Sequence, residues 1–513
     1  MKLFNSKALL LSTLLGSVSA AGIASADTEM RLTYVMADSI NVLGDPVMGI
    51  NFSEHQLSKA MFEPLIFDFD ARTGESGLRP NLATSWEVID PLRWRFKLRE
   101  GVTFHNGNPF NARAVQFSIM RVMDPDFQTS DKFKGIPITA VEIIDDYTVD
   151  IVTSEPVPIL PANLTRNGAF ILDPDHYEGL TADEARFSPM GTGPYRLVEY
   201  RPDDRIILAR HDDYWGWTPE SNIEEIVIRF IPELSTAVSE LIDGSIDIVR
   251  ISPDLAETVD AADGVSVIIA QSTNKAMMAF NQSKHPEMAD PRVRLALNHA
   301  IDREGLVDAL AFGQHDLISL TTVNPPFENP DLTPYAYDPD LARQMLAEAG
   351  YADGFSIDVI DVMVPDAFTW SEIVAEYWRQ VGVDVGEVRL LDWTVVRERW
   401  ANRTLGVHSF SWAAPENTPL TDLYSISDQR QTNSTHWLHE EFEELYSQLL
   451  VEMDEDERQR LNYRMQEIAY FDPPWAPLFR QPQVVGVSDR VGGYRPHPAF
   501  SQADWASIYI KTE

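Results

Sequence analysis

His436 and His439 stand three residues apart ahead of an acidic helical stretch, and they form the one histidine pair in the chain with metal-ligand spacing. A zinc or nickel site needs a third and usually a fourth donor, and none is fixed by the sequence around them, so the pair suits a helix-surface or N-terminal packing role better than a metal centre. The other patterns that carry chemistry are missing. There is no Gly-x-Ser-x-Gly elbow, no His-Glu-x-x-His helix, no Gly-Lys dipeptide for a phosphate loop and no cysteine. Gly191-Thr192-Gly193 lacks a third glycine and precedes a strand instead of opening a helix, so it reads as a tight backbone passage and not as a dinucleotide site. No catalytic residue, metal or cofactor is expected from these residues.

The elements that would position any site alternate between α and β. Trp86 to Leu98 predicts a hairpin turning at Asp90-Pro91, with period-two alternation in Trp94-Arg95-Phe96-Lys97-Leu98. Asn111 is placed to cap a helix carrying Val115, Ile119 and Val122 and running to about Met123. A second hairpin is predicted over 195–209, turning at Arg201-Pro202-Asp203-Asp204. Beyond it come a strand at 276–280, a helix opened by Asp290-Pro291, helices over 340–349 and 371–380, a strand over 383–391, and an acidic helical tail over 440–470. Helix-then-strand alternation predicts open sheets with crossover helices, an α/β class in which strand ends and crevices between lobes hold ligands.

Lys2 and Lys7 precede the apolar run through Leu15, and Ala24-Ser25-Ala26 offers small residues at a signal-peptidase spacing, so 1–26 is expected to be an export signal cleaved after Ala26. The remaining 487 residues are too many for one core and predict two or three lobes. No later run is long enough to span a bilayer, so no stable membrane insertion is expected. The formal charge is −38, or −40 once the two signal lysines are removed, which argues against nucleic acid or an anionic membrane surface as partner. Without cysteine, neither a disulfide nor a lipidated thiol exists, and stability must come from core packing.

Ordered blocks along nearly the whole chain carry a resemblance. Met61-Phe62-Glu63-Pro64-Leu65, Leu82-Ala83-Thr84-Ser85-Trp86, Phe96 to Gly107, Gly191 to Tyr195, Asp213-Tyr214-Trp215-Gly216 and Asp290 to Arg294 with Ala300 to Arg303 resemble the successive blocks of the family 5 extracellular solute-binding proteins. The resemblance implies a two-lobed, hinged periplasmic-binding-protein fold of the Venus-flytrap type with a small additional α/β domain. By analogy lobe I holds 27–272 and 481–513, with the additional domain near 61–180 inside it, and lobe II holds 273–480. It further implies a monomeric, non-enzymatic periplasmic receptor that captures a peptide or peptide-like small solute between the lobes and hands it to an ABC-type permease. A nickel chelate, an opine or an oligosaccharide is the alternative cargo, and an exported hydrolase is a more distant one.

The resemblance also places candidate ligand contacts. Trp412 would lie in the lobe II loop, where a flat ring stacks on a peptide plane, a sugar face or a chelate. Dipeptide receptors of the family follow this tryptophan with an aspartate for the α-amino group; here proline stands at or beside that position, and Glu416 is the substitute carboxylate or an exposed loop acid. The family's arginine for the peptide carboxylate is missing from Met363-Val364-Pro365-Asp366. Leu164-Thr165-Arg166 resembles the nickel-receptor stretch bearing an arginine for a chelator carboxylate, so Arg166 is a candidate anion contact or a lobe-internal ion pair. Trp393, Trp370, Trp437 and His436 are further candidates, the three tryptophans each beside apolar periodic segments that suit core positions better than a stacking platform.

Overall fold

The computed structural model describes residues 30–512 apart from 50–51, 128, 130–131, 311–317, 319–322, 325–326, 413–417, 431–432 and 500–503. The expected export signal and Glu416 lie outside the described residues. Two mixed sheets organise the molecule. The first has seven strands in the order Val265–Ala270, Gln483–Ser488, Ile248–Arg250, Arg31–Met36, Glu225–Phe230, Arg205–Arg210 and Tyr195–Arg201. Arg31–Met36 runs parallel to both of its neighbours, and the outer pairs are antiparallel. The second sheet has five strands in the order Val383–Leu390, Phe355–Val362, Val407–Trp412, Lys275–Ala279 and Trp475–Arg480, the first three mutually parallel.

The chain passes from the first sheet to the second between Ala270 and Lys275 and returns between Arg480 and Gln483. These two crossings lie side by side. Ser272 Oγ donates to the Gln481 carbonyl at 2.6 Å, Gln481 N–H donates to the Asn274 carbonyl at 2.8 Å, and the Asn274 amide donates to the Gln481 side chain. A paired, two-stranded connection of this kind lets two lobes rotate while keeping them in register.

Local chemistry explains the elements near the recesses described below. The first predicted hairpin is Ala83–Asp90 with Arg93–Leu98, which joins Thr148–Thr153 and Ile138–Asp145 in a separate four-stranded antiparallel sheet. The helix Ala112–Met123 packs on that sheet, with the Asn111 side chain accepting from Arg113 N–H at 3.0 Å as its N-cap. Phe96, Phe104, Phe110, Val115 and Ile119 fill the interior between them. The second hairpin pairs Tyr195–Arg201 with Arg205–Arg210, and Asp203 takes a left-handed φ of 58° in the turn, a conformation that Asp tolerates better than most residues. Asp290 caps Pro291–His299 by accepting from Arg292 N–H, and helices also form over Pro339–Glu348 and Phe368–Gln380.

The acidic tail differs from expectation. It is two helices, Glu440–Leu449 and Glu455–Phe471, because the Asp454 side chain accepts from Glu457 N–H at 2.9 Å and starts a new helix inside the acidic stretch. Gly191 and Gly193 behave as the spacing predicts: a Cβ would lie 2.2 Å from the Met61 carbonyl oxygen at the first and 2.6 Å from the Met61 carbonyl carbon at the second. The apolar interiors of the two large sheets are separate, one built around Leu32, Tyr195, Ile226 and Trp505, the other around Phe280, Trp370, Val374 and Trp378.

Candidate functional site

A recess of about 780 Å³ opens between the two lobes, beside the crossings. Its first-lobe wall is the carboxyl end of the parallel strands Arg31–Met36 and Ile248–Arg250 with the residues that follow them. The facing wall comes from the stretch after Phe355–Val362, where Asp366 leads into the helix bearing Thr369 and Trp370, and from Phe479 and Gln481 at the crossing. Both lobes therefore present the carboxyl ends of parallel strands to one space, the place where open α/β sheets receive ligands. The volume suits a molecule of a few residues' size.

The lining mixes apolar surface with a small set of charges and amides. Asp38, Arg250 and Asp254 come from the first lobe and Asp366 from the second. Arg250 is solvent-accessible but walled in on most sides, so desolvation holds its pKa below the ordinary guanidinium value, while Tyr34, Asp366, Tyr494 and Asp38 act in the opposite direction. In the same lining, the buried Tyr34 oxygen accepts from Gln56 Nε2 at 2.6 Å.

The model of the bacterial extracellular solute-binding proteins, family 5, matches residues 77–434. The chain belongs to this family. Heme-binding protein A of Haemophilus influenzae is 28% identical over 521 residues, covering 94% of this chain and 93% of that protein. The dipeptide-binding protein of Escherichia coli is 27% identical over 463 residues, covering 83% and 85%. The structure of HbpA2 from Haemophilus parasuis superposes with a TM-score of 0.81 at 24% identity, covering 94% of this chain and all of the other.

Measured against this family 5 frame, the residues picked out from sequence are scattered. Trp412 ends the strand Val407–Trp412, its backbone in register with Lys275 at the crossing, and the loop that would carry Glu416 follows it. Arg166 precedes the short turn Asn167–Ala169, four residues beyond a second recess. That recess, of about 460 Å³, is walled by Trp86 and Trp94 of the four-stranded sheet, by Pro158 to Ala162, and by Thr418, Leu420 and Leu449 of the second lobe. Trp393 opens the helix Trp393–Ala401 and is 54% exposed. Trp437 is placed in the lobe interior and not on a solute-facing wall: it is 1% exposed, and its indole N–H donates to Asp472 at 3.1 Å. Arg166, Trp393, His436 and Trp437 line neither recess.

The two histidines are used structurally. His436 has a left-handed φ of 53° and its Nε2–H donates to the Arg403 carbonyl at 3.0 Å, while His439 Nδ1 accepts from Phe442 N–H as the N-cap of Glu440–Leu449. Among the described residues, no three His, Asp or Glu side chains gather into a metal-binding group. Sequence reading missed Tyr34, Arg250 and Tyr494 because they sit on three elements distant in the chain. The one local signal was a charged residue closing the alternating stretch Ile246-Asp247-Ile248-Val249. No helix of the described residues is long and apolar enough to cross a membrane.

Proposed function

We propose that the chain is an exported, monomeric periplasmic receptor that captures a peptide-like amphipathic solute between its two lobes and delivers it to an ABC-type import permease, its signal cleaved after Ala26. The observation that carries this reading is the recess of about 780 Å³ whose walls come from both lobes and bear charges of both signs. A solute that touches both walls gains all of its contacts only when the lobes are closed, so its binding energy is spent on populating the closed form that a permease would recognise. Nothing in such a cycle requires bond chemistry on the solute.

Peptide-like cargo is supported by the lining itself, apolar surface with Arg250 and carboxylates drawn from both lobes, and by the likeness to a dipeptide-binding protein. The heme-binding relative keeps a flat apolar cargo as a second reading, which the tryptophan-walled recess of about 460 Å³ favours. The test is thermal unfolding of the chain from Asp27 onward against tripeptide mixtures, glutathione, nickel with and without organic chelators, cello-oligosaccharides and heme. A ligand that binds only the folded form raises the midpoint. A shift with peptides supports the proposal; a shift with heme or a metal chelate alone replaces the cargo, and solute turnover would replace the receptor.

A further inference from the structure

We propose that the smaller recess, of about 460 Å³, is a second binding site that takes an uncharged fused aromatic ring between the four-stranded sheet and the second lobe. This goes beyond the receptor reading above, whose solute lies in the larger recess, and places the ring beside that solute instead of in its stead.

The walls set the class of ligand. Trp86 and Trp94 come from the four-stranded sheet, Ile159 from the segment after its last strand, and Phe327, Leu420 and Leu449 from the second lobe. Pro158, Pro161, Pro419 and Pro498 lie among them and offer apolar ring surface with no backbone N–H. Indole rings on one wall and apolar side chains on the facing one suit a flat apolar body, because stacked and edge-to-face contacts add to the burial of its area. The volume falls near the lower end for small-molecule sites and gives room for two or three rings.

The charges in the lining are already engaged. Asp68 Oδ1 accepts from His497 Nε2–H at 3.3 Å and lies 3.9 Å from Lys59 Nζ, while His497 Nδ1 accepts from Ala499 N–H at 3.0 Å. Arg458 folds back on the start of its own helix, donating to the Met453 carbonyl at 2.8 Å and the Glu452 carbonyl at 3.2 Å. Glu455, three residues before it and exposed, gives the lining a charge of the opposite sign. A charged ligand therefore leaves water without meeting a dedicated counter-charge, a cost that an uncharged ring escapes.

The recess also borders the connections between the lobes. The Pro498 carbonyl accepts from Thr273 N–H at 2.9 Å at the outgoing crossing, and the His497 carbonyl accepts from the side chain of Gln483, where the chain has returned. Nearby, Ile159 packs against the second lobe's interior around Leu420 and Trp437, and Met453 packs against the interior of the four-stranded sheet. A ring held between these walls gains all of its contacts only while sheet and second lobe stay together, so its binding favours that arrangement.

The experiment titrates the chain from Asp27 onward with N-phenylnaphthylamine, an uncharged fluorophore, and with anilinonaphthalene sulfonate, which adds a negative charge to the same rings. The uncharged probe should occupy one site and bind about tenfold tighter or more than the sulfonate, which must desolvate its charge. Trp86→Ala and Phe327→Ala, one on each wall, should each weaken it by about tenfold or more, the usual effect of removing a central aromatic contact. Leu78→Glu, at a 43% exposed position in the lining, keeps both walls and should weaken it similarly by adding an unpaired carboxylate. The unliganded unfolding midpoint shows that each variant folds. A sulfonate bound as tightly as the uncharged probe overturns the class of ligand. Undiminished binding in Trp86→Ala and Leu78→Glu overturns the site, and a loss in Trp86→Ala with none in Phe327→Ala overturns capture between the two walls. A tripeptide mixture that raises the unfolding midpoint and displaces the probe would make the recess a side-chain pocket of the solute and overturn its independence; the same rise with the probe retained supports it. If the mixture leaves the midpoint unchanged, the peptide reading fails, and the probe titration decides the second site by itself.

Discussion

Lys275 Nζ lies 2.8 Å from Asp422 Oδ1, and both side chains are almost wholly buried, at 0% and 1% exposure. Lys275 begins the strand that leaves the crossing, and Asp422 stands in the helix Pro419–Tyr424, which follows the loop after Trp412. Asp422 also accepts from Asn324 N–H at 3.1 Å, and the ion pair of Arg480 with Glu328 lies close by on the returning strand. Desolvation draws Lys275 down and Asp422 up, towards their neutral forms, and each is the other's principal counterweight. The pair thus ties the lobe crossing to the base of the candidate binding loop.

Removing one member of a buried pair leaves the other charge in a low-dielectric interior. Asp422→Asn should therefore lower the unfolding free energy by about 3–5 kcal/mol in urea titration. The double change Lys275→Met with Asp422→Asn should be more stable than Asp422→Asn alone, because it removes the stranded ammonium and keeps an acceptor for Asn324. A double variant no more stable than the single would show that the pair contributes packing and not charge compensation.

Glu63 supplies a pH dependence of unusual sign. Its buried carboxyl accepts from Thr192 at 2.8 Å, Tyr214 at 3.1 Å and Trp215 at 3.2 Å, yet burial outweighs these donors and pushes its pKa from 4.5 up to about 7. Between those values the folded protein holds a proton that the unfolded chain has released, so stability falls as pH rises through this window. The cost above pH 7 is on the order of 3 kcal/mol. Glu63→Gln should remove that cost, and its stability relative to wild type should rise between pH 5 and pH 8. A constant difference across that range would contradict the assignment.

His408 acts in the opposite direction. A carbonyl only accepts, so Nδ1 carries the proton donated to Gly406 O at 2.9 Å, and Nε2 is left to accept from Ser434 Oγ at 3.0 Å. Burial lowers its pKa from 6.5 to about 4. The unfolded chain protonates this imidazole first, so stability is lost as pH falls from 6.5 to about 4, by on the order of 3 kcal/mol. His408→Gln should show a shallower acid limb in urea titrations at successive pH values; an unchanged limb would assign the acid sensitivity to other groups.

Trp437 and Trp393 should separate cleanly. Trp437→Ala empties a filled interior position and should cost about 3–5 kcal/mol. Trp393→Ala, at an exposed helix start, should stay within about 0.5 kcal/mol of wild type and leave any solute-induced rise in the unfolding midpoint intact. Loss of that rise in Trp393→Ala would place a solute contact outside both recesses.

What the sequence disclosed was whatever depends on neighbours in the chain. The hairpin at 195–209, the Asn111 cap and the tight passage at Gly191 and Gly193 each follow from a few adjacent residues, and ordered blocks from Met61 to Val383 carried the family resemblance. The interruption at Asp454 escaped because acidic composition suits a helix interior and a helix N-cap alike. The recess escaped for a different reason. Tyr34, Arg250, Asp366 and Tyr494 come from two lobes and four elements, and their meeting is a property of strand order and of the paired crossings, which no local periodicity records.

Small-angle scattering of the chain from Asp27 onward, with and without a saturating tripeptide mixture, reads lobe closure itself. Capture between the lobes predicts a contraction of the radius of gyration that accompanies the rise in unfolding midpoint. A raised midpoint with an unchanged scattering profile would place the solute on one lobe alone and contradict capture by closure.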